Sequence, residues 1–145
     1  ISVPQGHVVV QARPDTAFTQ DIYTKDHHLV ADEPSSVKGD NLGMTPYDLL
    51  LAGLGACTSM TVNMYARRKN IKLDKVTVDL SHKKIHAADC EDCETSDGKI
   101  DVIYKSLALK GGFTPEQETR MHEIAEKCPV NRALLSEIKI TTSKK

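Results

Sequence analysis

The sequence predicts an α+β protein in which an antiparallel sheet packs on one long central helix. The first observation behind this is the stretch Leu49–Ala66, eighteen residues without a charge and with Cys57 near the middle. Thr45-Pro46-Tyr47-Asp48 precedes it and Arg67-Arg68-Lys69 follows. A threonine cap, proline at the first helical position, an acid in the first turn and bases in the last define both ends of a helix. The second observation is that strand-like segments cluster instead of alternating with helices, which argues against a doubly wound parallel sheet. The third is length: 145 residues, 39% of them hydrophobic, suffice for one core, so residues 1–145 are expected to form a single domain.

The elements follow in order. His7–Ala12 is rich in β-branched residues and reads as a strand, Arg13-Pro14-Asp15-Thr16 as a turn, and Ala17–Thr24 as the returning strand. His27–Ala31 reads as a third strand, and the turn-rich Glu33–Gly43 as a loop leading into the helix. Beyond the helix, Val76, Val78 and Leu80 alternate with Thr77, Asp79 and Ser81, the pattern of a half-buried strand. His86–Gly98 is polar and reads as a hairpin tip. Ile100–Leu109 returns, with an apolar phase that shifts near Tyr104–Leu107 and suggests a bulge there. Thr114-Pro115-Glu116-Gln117 is a capping box opening a second helix to about Lys127, which Cys128-Pro129 breaks. Asn131–Ser136 reads as a short helical turn and Glu137–Thr142 as a last strand. There is no internal repeat.

A helix with almost no wettable face must be covered nearly all round. One small sheet covers one side. Ala52, Gly53 and Ala56 form a flat stripe that would admit a second helix, so a symmetric homodimer is expected. A membrane span is not expected: two glycines, three hydroxyls and Asn63 interrupt the stretch, and spans need about 20 predominantly apolar residues. Nucleic acid is not expected either. The formal net charge is −1, the basic residues form only short clusters, and four tyrosines and two phenylalanines offer little stacking surface. Four cysteines in a chain with a helical core do not resemble a disulfide-stapled secreted scaffold, so the cytoplasm is the expected compartment.

Cys57 reads equally as a small hydrophobe in a core helix and as a reactive thiol. Cys128, at a helix boundary before Pro129, is a second thiol that could meet it across the core. Such a pair suits peroxide chemistry, in which a thiolate becomes a sulfenic acid and the second thiol condenses it to a disulfide. Burial raises a thiol pKa, so a nearby cation is needed. Cys90 and Cys93 form a second constellation. With His82 and His86 they read H-x3-H-x3-C-x2-C, which admits zinc, a labile disulfide or a structural turn. The acids Asp89, Glu91, Asp92 and Glu94 should raise these thiol pKa values and make them poor nucleophiles. His27-His28 are expected to point one in and one out, Met44, Met60 and Met64 to line apolar space, and His122 to be exposed.

The segment Gly43-Met44-Thr45-Pro46-Tyr47-Asp48-Leu49-Leu50 through Ala56-Cys57, followed by Lys127-Cys128-Pro129-Val130-Asn131, resembles the osmotically inducible and organic hydroperoxide resistance proteins, the OsmC/Ohr family. The similarity covers essentially the whole chain. It is closest to a branch carrying HHLVADEP (residues 27–34) and DCEDCE (residues 89–94). The resemblance implies an OsmC-like fold, an intertwined homodimer with sites at the subunit interface, and thiol-dependent reduction of organic hydroperoxides to alcohols. It places Cys57 on the peroxidatic and Cys128 on the resolving cysteine. Arg13 falls on the arginine that holds the thiolate, with Pro14 as a departure. A dithiol reductant such as a lipoylated protein is the implied partner, with no cofactor and no metal.

The family's carboxylate position, ten residues before Cys57, holds Tyr47, and the acid is Asp48. One step along a helix turns a side chain by about 100°, so Asp48 reads as a capping acid. Two functions compete: a thiol peroxidase using Cys57, Cys128 and Arg13, and a non-enzymatic, stress-related small-molecule-binding protein on the same fold.

Overall fold

Cap chemistry sets the start of the long helix. In a computed structural model describing residues 1–145, the Asp48 carboxylate accepts from the Thr45 N–H and the Thr45 hydroxyl accepts from the Asp48 N–H, both at 3.1 Å. Helix α1 (Pro46–Arg68) begins inside this reciprocal box and ends at the expected arginines. Asp48 is thus the capping acid its position suggested.

The chain forms two compact units, residues 1–50 and 51–145. The first holds a three-stranded antiparallel meander of β1 (Val9–Ala12), β2 (Gln20–Tyr23) and β3 (His28–Ala31). Val10, Ile22 and Leu29 are register partners across it, and Val10 and Leu29 stay exposed. Both His27 and His28 are exposed, against the expected inward–outward pair; His28 instead stacks on Tyr23. The following loop is tied by the buried Asp32. Its carboxylate accepts from the Thr19 hydroxyl at 2.8 Å, the Glu33 N–H at 2.7 Å and the Leu42 N–H at 3.3 Å. Burial pushes this carboxyl up, but those donors outweigh it and hold it below its ordinary value. Gly43 lies against the Val30 carbonyl, where any Cβ would collide with backbone.

The second unit contains the rest of α1, a long antiparallel ribbon and two shorter helices. The ribbon pairs β4 (Lys72–His86) with β5 (Lys99–Gly112). Strand β4 outruns the expected 76–81 segment because β5 supplies ladder partners along its length. The one register irregularity falls between Leu73 and Lys75, not at Tyr104–Leu107. In β5 the half-buried residues are Ile100 and Val102 and then Ile103, Lys105, Leu107 and Leu109, so the inward phase does change, at Val102–Ile103 and without a bulge, and Lys105 fills an inward slot of the second row. Helix α2 (Pro115–Ala125) opens with the Thr114–Gln117 capping box. Helix α3 (Pro129–Leu135) follows.

Val62 and Ala66 of α1 pack with Met121 and Ala125 of α2, over Leu73, Val76, Leu107 and Leu109 of the ribbon. Gly55 is buried against Leu80, and its lack of a Cβ is what lets α1 approach the ribbon there. Besides Gly55, only the stripe Leu54, Thr58, Val62 and Ala66 is buried, each four residues from the next. The opposite face, with Ala52, Gly53, Ala56, Met60 and Met64, is exposed, so Met44, Met60 and Met64 do not line apolar space within this chain. By length and composition α1 is the one helix that could cross a membrane. Residues 137–142 form no strand, and Ile138 and Ile140 are exposed. Their β-branched composition favours extension, but a strand needs a ladder partner, and no edge in this chain pairs with them.

Candidate active site

Cys128 is the N-cap of α3, three residues past the end of α2, which stops at Ala125 instead of the expected Lys127. Pro129 fits the first helical position because its missing N–H has no helical partner there. The Cys128 sulfur accepts from the Asn131 N–H at 3.3 Å, doing with a thiol what serine or aspartate usually does with oxygen. The residue is fully buried.

Helix α1 brings two side chains to this sulfur. Thr58 Oγ1 lies 3.7 Å from Cys128 Sγ and donates to the Leu54 carbonyl at 2.8 Å. Cys57, one residue before Thr58 on α1, is half-buried, and its thiol is one of the groups that act on Cys128. The structure therefore places the two cysteines that the sequence singled out in one neighbourhood, beside Thr58.

The charge beside them comes from β5. Lys105 Nζ donates to Thr58 Oγ1 at 3.3 Å and to Asn131 Oδ1 at 3.4 Å, and meets Glu126 Oε1 at 3.7 Å. Its side chain is only 10% exposed, against 68% for Glu126, so the lysine charge faces inward and the carboxylate faces solvent. Burial pushes the Cys128 thiol up. The Asn131 N–H, the Thr58 hydroxyl, the Cys57 thiol and the Lys105 charge together outweigh that, leaving it below its ordinary value. Sequence reasoning missed Lys105, Thr58 and Asn131. A signal was present: a lysine flanked by Ile103 and Leu107 on the inward row of a strand.

Arg13 lies in the first unit, just after β1. Its guanidinium donates to both carboxylate oxygens of Asp21, at 3.3 and 2.9 Å. Arg13 is the main reason the Asp21 carboxyl is held down to about 2, with His28 adding a second contact at 2.9 Å. Asp21 is a partner that the sequence reading did not identify.

Beside the thiols, Leu54, Ile103, Leu134 and Leu135 together with Lys105 and Asn131 help to line a cavity of about 410 Å³. The lining is mixed: four aliphatic side chains stand with Lys105 and Asn131, both neighbours of the Cys128 site, and with Asp101 and Glu126.

Cys90 and Cys93 are joined as a disulfide at the ribbon tip. Their sulfurs and an Asp92 oxygen lie within 4.8 Å of one another. The four-ligand set suggested by H-x3-H-x3-C-x2-C is not gathered, because His82 Nε2 instead meets Asp101 at 2.8 Å across the ribbon. Sulfurs bonded to each other are not thiolate ligands either.

Among solved structures the chain is similar to an OsmC-like protein from Mycoplasma pneumoniae (18% identity, 89% of this chain and 86% of that one, TM-score 0.67). It is similar to an organic hydroperoxide resistance protein OsmC from Legionella pneumophila (19% identity, 88% of each chain, TM-score 0.59). It also resembles an OsmC-like protein of unknown function from Vibrio cholerae (12% identity, 88% and 91%, TM-score 0.64). At these identities the likeness concerns the fold. No curated protein matches the chain by sequence. The sequence model of the OsmC-like protein family matches residues 39–143, spanning α1, the ribbon, α2 and both Cys57 and Cys128. The chain belongs to the OsmC-like protein family.

Proposed function

We propose that this protein is a thiol peroxidase that reduces organic hydroperoxides to alcohols. The observation that carries the reading is the buried Cys128 sulfur, which accepts from the Asn131 N–H and lies 3.7 Å from Thr58 Oγ1, with the mostly buried Lys105 bonded to Thr58 and with Cys57 next to Thr58 on α1. Cys57, the more accessible thiol, attacks as thiolate on the terminal oxygen of the hydroperoxide. The O–O bond breaks, the alkoxide leaves and takes up a proton, and Cys57 becomes a sulfenic acid. Cys128, already biased toward thiolate, attacks that sulfur. Hydroxide leaves and is protonated to water, and a Cys57–Cys128 disulfide results. A dithiol, such as a lipoyl group on a protein, reopens it by exchange.

In this reading Lys105 is the main cation of the thiol pair. Arg13 contributes less, because Asp21 already holds its guanidinium. The exposed Ala52–Gly53–Ala56 stripe, Met60 and Met64 on α1, and Val10 and Leu29 on the first sheet are apolar surfaces that a second copy would cover. The working form is accordingly proposed to be a homodimer of single-domain chains in the cytoplasm. Its sedimentation mass should be twice the 16.0 kDa of the chain. A monomer would remove this part.

The chemistry is tested by titrating thiols after mixing reduced protein with tert-butyl hydroperoxide and, in parallel, with hydrogen peroxide. Two thiols should disappear per chain, faster with the alkyl hydroperoxide, and only when Cys57 and Cys128 are both present. Unchanged thiols would instead favour the non-enzymatic binding protein.

A further inference from the structure

We propose that Cys90 and Cys93 are a second, independent redox centre, a reversible disulfide that exchanges with a dithiol presented on a basic surface. The pair sits at the far end of the β4–β5 ribbon. Lys99, at the base of the tip, is about 20 Å along β5 from Lys105 at ~3.3 Å per residue. Within the second unit, the tip disulfide is therefore out of range of Cys128. The inference does not rest on the peroxidase reading.

The tip is built to hold the two sulfurs in one place. Ala87 is buried, its N–H donates to the Gly98 carbonyl at 2.8 Å, and Gly98 takes a φ of +78° that favours glycine. Ala87–Asp89 forms a 3-10 turn closed by the Cys90 N–H to the Ala87 carbonyl at 3.1 Å. Cys90 and Cys93 follow on this anchored base, both partly accessible to solvent. An accessible two-residue-spaced disulfide can be attacked without unfolding anything.

Charge then selects the partner. Asp89, Glu91, Asp92, Glu94 and Asp97, all exposed, flank the two cysteines within nine residues of chain. An Asp92 oxygen lies 3.4 Å from Cys90 Sγ and becomes a hydrogen-bond acceptor once that sulfur carries a proton. These carboxylates repel an incoming anionic thiolate and attract a thiol on a cationic carrier. In the exchange, a donor thiolate attacks one tip sulfur, the Cys90–Cys93 bond breaks and a mixed disulfide forms. The released cysteine takes a proton from water. The donor's second thiolate then displaces the other cysteine, so the donor leaves as a disulfide and the tip holds two thiols.

The test uses the full-length C57S/C128S variant, in which the tip cysteines are the only sulfhydryls. Its disulfide is reopened with cysteamine, which is cationic, or with glutathione, which is anionic, at matched thiolate concentration. Cysteamine should be faster on the order of tenfold at low ionic strength, and the gap should close near 1 M salt, where the Debye length is about 3 Å. Adding E91Q, D92N and E94Q should narrow it equally. Should that variant fail to fold, differential alkylation and peptide mapping of the tip in the unmodified chain gives the same rates. A tip that does not gain and lose two thiols reversibly, or equal rates with both reductants at low salt, would overturn the proposal.

Discussion

Two cysteine pairs share the second unit, and their surroundings are opposite. Cys57 and Cys128 share a neighbourhood with an inward-facing lysine, and the buried Cys128 sulfur accepts from a backbone N–H and lies 3.7 Å from the Thr58 hydroxyl oxygen. Cys90 and Cys93 are joined at a partly exposed tip whose chain is rich in exposed carboxylates, with Asp92 against one sulfur. The same element in the same unit is thus set for two chemistries. A thiolate stabilised in a dark pocket suits rapid attack on an oxidised neighbour. Sulfurs held among acids react slowly and discriminate between partners by charge. Environment, not residue type, makes the distinction.

The largest effect that would break this contrast is loss of the attacking sulfur. Cys57→Ser should lower peroxide turnover by at least about 10³-fold, as expected when a nucleophile is removed, while C90S/C93S should leave turnover unchanged. Peroxide consumption with excess dithiothreitol measures both; equal losses from the two variants would erase the distinction. Next comes the cation. Lys105→Met removes the charge that reaches Cys128 through Thr58 and should slow disulfide formation by roughly tenfold, the low end for a charge-assisted contact at about 1.5 kcal/mol. Its pH dependence gives a sharper readout. With Lys105 present the Cys128 thiol sits below its ordinary value, so the thiolate persists to lower pH; K105M should move the ascending, acid-side limb of the pH–rate profile to higher pH. An unmoved limb would show that the lysine only fills space.

Thr58→Val is a smaller perturbation. It keeps the shape but removes the hydroxyl that links Lys105 to Cys128, and a several-fold loss in resolution rate is expected, read by how readily Cys57 overoxidises to sulfinic acid. The smallest change in turnover should come from Arg13→Ala, because Asp21 already holds that guanidinium. Its clear signature lies elsewhere. The Asp21 carboxyl, held near 2, should titrate closer to the ordinary 3.8 in R13A when followed by NMR. In the unmodified protein the ion pair therefore contributes at pH above 3.8 and is lost as pH falls through about 2. A larger turnover loss from R13A than from K105M would reverse the ranking of the two cations.

Much of this was legible in the sequence where the physics is local. Thr45 and Asp48, and Thr114 and Gln117, announce their helices because a cap is satisfied by residues within one turn. The two cysteine motifs pointed to the site because each sits at a definable helix position. What sequence could not supply was the company these residues keep. Lys105 looked like a break in an apolar pattern, since a lysine on an inward row gains meaning only from Thr58 and Asn131, on distant parts of the chain. Residues 137–142 have a strand's composition, yet composition cannot provide a neighbouring edge. Helix α1 was correctly read as apolar all round, but covering all of it takes more surface than one chain offers.

The central claim is that Cys57 and Cys128 react as a unit. Fully reduced protein, with all four cysteines as thiols, is treated with one equivalent of tert-butyl hydroperoxide, alkylated and mapped by peptide mass spectrometry. The account predicts one Cys57–Cys128 disulfide per chain, with Cys90 and Cys93 still alkylated as thiols. Recovery of Cys57 and Cys128 as unmodified thiols, or a disulfide found only between Cys90 and Cys93, would contradict it.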